Sequence, residues 1–195
     1  MLRIITYYTK NSIYEEQFFE VFEPSMKRFD LPYEAYAVED KGSWIKNVSI
    51  KPAIIFTALE KYNRRIVFLD VDAEVVDFPS LFFKAGKFDI GFHYLDWYLY
   101  WRGKPGNKKE LLSGTLLFDP TEKAFEILRK WKNLCTKEDN WDQRYLQQVI
   151  ESMHDLSILE IPIEYIVIVK RDGRIPSFIK KPIIVHHQLS RKVKK

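Results

Sequence analysis

The sequence predicts an α/β protein: a mixed, mostly parallel sheet with helices on both faces. Three observations carry this. Up to residue 71 the chain reads strand–helix–strand–helix–strand, the alternation that builds parallel sheets through crossover helices. Residues 65–71 (RIVFLDV) are an unbroken apolar run up to the first aspartate, expected of a central strand covered on both sides. With 195 residues, 46% hydrophobic and 15% aromatic, the chain suffices for one domain with its own core and is too apolar to be disordered.

Arg3–Tyr8 opens as a β-branched, apolar strand. Asn11–Phe29 follows with Phe18, Phe22, Met26 and Phe29 three and four apart, a helical stripe that Pro24 should kink or split. Tyr33–Val38 reads as a second strand and Glu39–Asn47 as a turn region. Pro52 suits the start of a helix that turns Ile54, Ile55, Ala58, Leu59 and Tyr62 inward. After the central strand come a short helix near Pro79–Lys84, a strand at Phe88–His93, a loop at Leu95–Glu110 and a strand at Leu112–Phe118. Asp119-Pro120-Thr121-Glu122 has the pattern of a helix start with Asp119 as cap. Helices to about Cys135 and over 140–153 follow, then strands near 157–161, 166–170 and 183–187.

There are 31 Lys and Arg against 27 Asp and Glu, a net charge of +4. Four of the positive charges lie in Arg191–Lys195, so residues 1–190 form one neutral domain and 191–195 a basic tail. A broad nucleic-acid footprint is not expected, since it needs a basic face on the domain itself. Charges interrupt every apolar run before spanning length, which leaves at most peripheral membrane contact through the tail. One cysteine, Cys135, precludes an intramolecular disulfide and suits a reducing, cytoplasmic setting, and the N-terminal residues have no long apolar signal core.

Asp70-Val71-Asp72 ends the apolar run. Residues two apart share a face of a strand, and two adjacent carboxylates repel unless protons or a hard divalent cation compensate. The alternative is a solvated strand end with one Asp as a helix cap. His186 and His187 end the last strand, and adjacent positions point to opposite faces, so only one of them can face any one site. Asp142 and Gln143 open a helix, where capping from Asn140 could account for both. Gly114, after Ser113, marks a bulge or a close approach of a ligand. Trp97, Tyr98, Tyr100 and Trp101, grouped with Gly103, Pro105 and Gly106, read as a lid that offers aromatic platforms to a sugar or an apolar ligand.

In order along the chain, IVFLDVD (66–72), LLSGTLLF (111–118), WDQ (141–143) and VHHQLS (185–190) resemble the GT-A-fold (Rossmann-like), DxD-containing, metal-dependent glycosyltransferases, and among them the retaining family 8 type. The resemblance implies Mn²⁺ or Mg²⁺ held by Asp70, Asp72 and a histidine, with His187 preferred from its spacing to Ser190. It also implies a nucleotide diphosphosugar donor, a uridine one, contacted by Tyr7, Thr9, Lys51, Ser113 and Gly114, with Lys192 as a candidate for the diphosphate. Asp142 and Gln143 would stand near the acceptor as catalytic residues, the acceptor being a saccharide, a glycolipid or a protein. Two alternatives remain: a phosphohydrolase of the haloacid dehalogenase type, against which Glu74 stands where that motif expects Thr or Val, and a sugar-nucleotide-binding domain without catalysis.

Overall fold

The computed structural model describes residues 2–106, 108–137 and 140–193. Its first three strands, β1 (Arg3–Thr9), β2 (Tyr33–Val38) and β3 (Ile66–Leu69), lie parallel, with β1 between the other two. β5 (Ile90–Asp96), β6 (Lys109–Phe118) and β7 (Ile158–Glu160) complete a six-stranded sheet in the order β2-β1-β3-β6-β5-β7. β6 runs against both neighbours while β7 is parallel to β5, so β6 is the one reversed strand of this sheet among the described residues. A smaller sheet carries β4 (Ala73–Val75), β8 (Val167–Ile168) and β9 (Ile184–His186) in the order β4-β9-β8.

β3 shows why the apolar run marks the centre. Ile66 and Phe68 belong to one core cluster, Val67 and Leu69 to the opposite one, and all four are 0% exposed. Each such side chain contributes roughly 1.5–3 kcal/mol relative to an exposed position. The first face is covered by α4 (Lys51–Tyr62), α7 (Glu122–Cys135) and α8 (Asp142–Ser152), with Trp131 fully buried at its middle. The second is covered by residues 13–28, by β4 and β9, and by α5 (Ser80–Lys84). Helices therefore lie on both faces, as expected.

Several local expectations change. The 11–29 stripe becomes α1 (Ile13–Gln17), a π turn (Phe18–Phe22) and α2 (Glu23–Arg28). Pro24 has no N–H to return to Glu20, and the Glu23 N–H reaches back five residues to the Phe18 carbonyl, so the widened turn absorbs the defect and keeps Phe18 and Phe22 buried. The expected turn at 39–47 ends in a helix, α3 (Trp44–Val48), capped by Ser43. The expected loop at 95–110 begins with helix α6 (Trp97–Arg102), capped by Asp96 and closed by Gly103 at φ 68°. The cap of α7 is Thr121, whose hydroxyl accepts from the Ala124 N–H, and not Asp119. The Asp119 carboxylate takes Arg65 instead, Nε at 2.7 Å and Nη2 at 2.9 Å. Residues 191–193 are not a loose tail: Ser190–Val193 form a helical turn, α9, and 194–195 lie outside the described residues. No described helix is long and apolar enough to cross a membrane.

Candidate active site

The first three strands end at one rim, and the segment that leaves β3 there is a tight turn. The Ala73 N–H donates to the Asp70 carbonyl at 2.9 Å, and β4 starts at once. Asp70 and Asp72 thus reach the same cavity because the chain turns, and not because a strand pleat aligns them. The cavity has a volume of about 300 Å³. Tyr7, Tyr8 and Thr9 from the end of β1, Tyr14, and Trp44, Asn47 and Val48 from α3 and its end form one side. Lys51, Asp70, Asp72, Ser113, Asp142 and Gln143 carry its polar chemistry, and Trp97, Trp101, Trp141, Gln188 and Ser190 close the other side.

Lys51 is the centre of the polar group. Its ammonium lies 3.0 Å from Asp70 Oδ1, 2.9 Å from Asp142 Oδ2 and 3.2 Å from Ser113 Oγ, with the residue only 2% exposed. Burial alone would lower the Lys51 pKa, but Asp142 and Asp70 outweigh it and hold the ammonium charged, well above its ordinary range. Burial together with Asp72 and Asp142 leaves the Asp70 carboxyl raised despite Lys51, which pulls the other way. The Ser113 hydroxyl donates to Asp142 Oδ2 at 3.2 Å, and the Trp131 indole N–H donates to the Asp142 carbonyl at 2.8 Å.

Gln143 does not form a capping box. Its Oε1 accepts the Ser113 backbone N–H at 3.1 Å, and one turn on, Gln147 Oε1 accepts the Leu111 N–H at 3.1 Å. Here β6 extends past the end of β3, and two glutamines four apart on α8 take the place of the missing strand. Gln143 Nε2 then donates to Glu110.

The histidines separate as alternation requires. His187 is half-buried, and its Nε2 lies 2.9 Å from Glu74 Oε2, which accepts the imidazole N–H. His186 is 2% exposed behind the cavity wall, with Nδ1 3.3 Å from Asp72 Oδ1 and Nε2 3.0 Å from Thr115 Oγ1. The single Thr115 hydroxyl proton goes to the Tyr165 carbonyl at 3.0 Å, so Nε2 is the donor toward Thr115. With Nε2–H spent on Thr115, Nδ1 meets Asp72 favourably only when it carries a proton to donate to the carboxylate or when a cation lies between them. Asp72 is held low: burial would raise it, but the hydrogen bond and charge of His186, with the Leu189 N–H on Oδ2 at 3.1 Å, outweigh burial. Gly114 leaves room for this group, because a Cβ there would sit 2.9 Å from His186 Cε1 and 3.4 Å from Asp70 Oδ2.

The donor set suits a hard divalent cation in kind. Asp70, however, is turned to Lys51, and no group of three His, Cys, Asp or Glu side chains converges closely enough to hold one among the described residues. Only Asp70 Oδ1 meets Lys51, and for a cation to be shared by Asp70, Asp72 and His186 these side chains would have to draw closer together.

Other expected positions divide. Tyr7 lines the cavity, its hydroxyl donating to the Asn47 carbonyl at 3.0 Å. Thr9 lines it too. Trp97 and Trp101 face it, whereas Tyr98 does not line it, and Tyr100 is a core residue, 4% exposed, exchanging both backbone hydrogen bonds with Ile168 through its hydroxyl. Lys192 is exposed on α9, off the cavity wall. Sequence reasoning did not single out Tyr14 and Trp44. Burial, then Asp72 and Asp70, push the Tyr14 hydroxyl up to about 12, while a hydrogen bond with Trp44 pulls it down. The aromatic spacing of 14–29 reads as core, which hides this role.

No protein-family model and no curated protein sequence matches the chain. Solved structures do. A glycosyltransferase involved in the glycosylation of the major capsid of PBCV-1 superposes with a TM-score of 0.67 at 15% identity, over 96% of this chain and 92% of that one. The bifunctional glycosyltransferase WbbM superposes with a TM-score of 0.59 at 12% identity, over 96% of this chain and 45% of WbbM. The chain has the mixed α/β GT-A fold of these glycosyltransferases.

Proposed function

We propose that the protein is a glycosyltransferase that moves a sugar from a nucleotide diphosphosugar, a uridine one, to an acceptor, with a divalent cation, Mn²⁺ or Mg²⁺, and with retention of configuration. The observation that carries the reading is the Lys51–Asp70–Asp142–Ser113 cluster on the floor of an aromatic-walled cavity, at the strand ends where such sheets take nucleotides. Retention and the uridine base rest on the sequence resemblance alone.

Asp70, Asp72 and His186 would hold the cation. His186 is favoured over His187 because it faces Asp72, while His187 is engaged by Glu74. A bound cation would stabilise the negative charge that the leaving diphosphate accumulates. Lys51 keeps Asp70 in place until then, and its remaining bonds to Asp142 and Ser113 hold the ammonium beside the donor. Tyr7 offers a face to the base. Asp142 and Gln143 fix Lys51 and the end of β6, with Trp97 and Trp101 toward the acceptor.

The test is incubation with Mn²⁺ and a panel of nucleotide sugars, reading donor binding by calorimetry and nucleotide diphosphate release. Binding and release with one donor, both lost in Asp70→Asn, is expected. Neither binding nor release across the panel overturns the reading, and binding without turnover on any acceptor reduces it to a sugar-nucleotide-binding domain.

A further inference from the structure

The net charge of +4 conceals a segregation. Residues 1–164 hold 22 basic and 26 acidic side chains, whereas 165–193 hold seven basic and one acidic, Asp172. The basic stretch is folded and begins well before the C-terminus. Lys170–Arg174 is a turn closed by the Lys170 N–H on the Arg174 carbonyl at 2.9 Å, with Gly173 at φ 80°. Beyond it Phe178 packs its ring edge on Tyr100, 5.6 Å between centroids, yet stays 50% exposed, and Ile175 is 37% exposed. Arg171, Lys180, Lys181 and Lys192 are exposed around them. The single acid is already engaged, since Asp172 Oδ2 lies 2.6 Å from Arg174 Nη2.

We propose that this face docks on an anionic membrane surface, with its lysines and arginines on lipid phosphates and with Phe178 and Ile175 entering the acyl boundary. Two exposed apolar side chains that follow a basic turn and stand among exposed cations in the sequence match such a surface, where charge attracts and apolar burial anchors. None of residues 170–181 lines the candidate active-site cavity or the one beside it along α8, so the feature is separate from the candidate site. A nucleic acid would use the cations but has no use for Ile175. The face also adjoins the candidate site. Arg191 donates to the Val169 carbonyl at 2.9 Å and lies 5.5 Å from the ring centre of Trp101, which lines the cavity. Docking would bring the cavity mouth to the bilayer, within reach of an acceptor carried on a lipid.

The full chain should sediment with phosphatidylcholine vesicles containing about a third phosphatidylglycerol and not with phosphatidylcholine alone, and added salt should release it. Lys180→Glu with Lys181→Glu should weaken partition by more than about tenfold. Ile175→Ser should weaken it several-fold, and Phe178→Ser by about tenfold. Ile175→Ser and the lysine pair keep the test valid should Phe178→Ser disturb Tyr100. Equal binding to both vesicles, binding to neither, or anionic binding unchanged in the variants overturns the proposal. So does equally tight binding to a single-stranded oligonucleotide that Ile175→Ser and Phe178→Ser leave intact. None of these readouts requires glycosyl transfer.

Discussion

Lys51 is buried and charged at once, which is sustainable only because two carboxylates and a hydroxyl saturate its three N–H donors. Lys51→Met leaves Asp142, itself 4% exposed, without its counter-charge and should cost about 3–5 kcal/mol in urea denaturation. A loss under about 1 kcal/mol would show that water replaces the ammonium easily. Gly114 makes a second residue-scale prediction. Its conformation suits any residue, yet a Cβ would stand 2.9 Å from the His186 ring, which Thr115 and Asp72 hold in place. Gly114→Ala should cost about 1–3 kcal/mol in thermal or urea unfolding and abolish Mn²⁺-dependent donor binding in calorimetry. Normal metal-dependent binding in a destabilised protein would detach His186 from the cation. Asp70, Asp72 and Gly114 were legible in the sequence as candidates because each interrupts an apolar strand pattern, whereas Lys51 stood out only through the family resemblance. Their partners were not. Lys51 meets Asp142 across 91 residues, a pairing that no local pattern encodes.

At the scale of elements, the long periodic segments were legible and the short ones were not. β2 has the expected bounds, α4 starts at Lys51, one residue before the expected Pro52, and α7 ends at Cys135 as anticipated, since each carries a strong local signal. Three-residue strands such as β4 have too few side chains for alternation to register, and α6 was hidden because its cap Asp96 and its terminator Gly103 read equally well as loop residues. Asp119 and Thr121 show how two plausible caps are separated. Both types cap helices, but only Asp119 lies within reach of Arg65 on the neighbouring strand end. Thr121→Ala should therefore cost about 1 kcal/mol, whereas Asp119→Ala, which removes the counter-charge of Arg65 and leaves its guanidinium to the Phe82, Ala85 and Gly86 carbonyls, should cost about 3–5 kcal/mol. Urea denaturation of the two variants checks the order, and the reverse order would restore Asp119 as the cap. Gln143 teaches the same lesson. Its sequence spacing fits a capping box, but the unpaired Ser113 N–H at the overhang of β6 claims it.

On the scale of the whole molecule, the small sheet welds the C-terminal segment to the Asp70–Asp72 turn. β9 pairs with β4, and the N–H groups of His187 and Leu189 both bind Asp72, one at its carbonyl and one at its carboxylate. Ile184, 0% exposed at the centre of this sheet, should cost about 2–5 kcal/mol as Ile184→Ala. Donor-dependent stabilisation should fall with it, because His186 rides on the same strand. Thermal unfolding with and without Mn²⁺ and donor measures both effects, and an unchanged donor-dependent increment would uncouple β9 from the site. The sequence by itself determined the α/β alternation, the central strand and the rim where the carboxylates gather, because apolar runs and turn residues act through near neighbours. Only the tertiary structure decided which histidine faces Asp72, which acid neutralises Lys51, and that the basic residues 170–192 share a region with Phe178. The reason is register: β9 is paired so that His186 stands opposite Ala73, and a slip of one residue would exchange the two histidines between faces. That choice belongs to the packing of the two sheets and is written in no single segment.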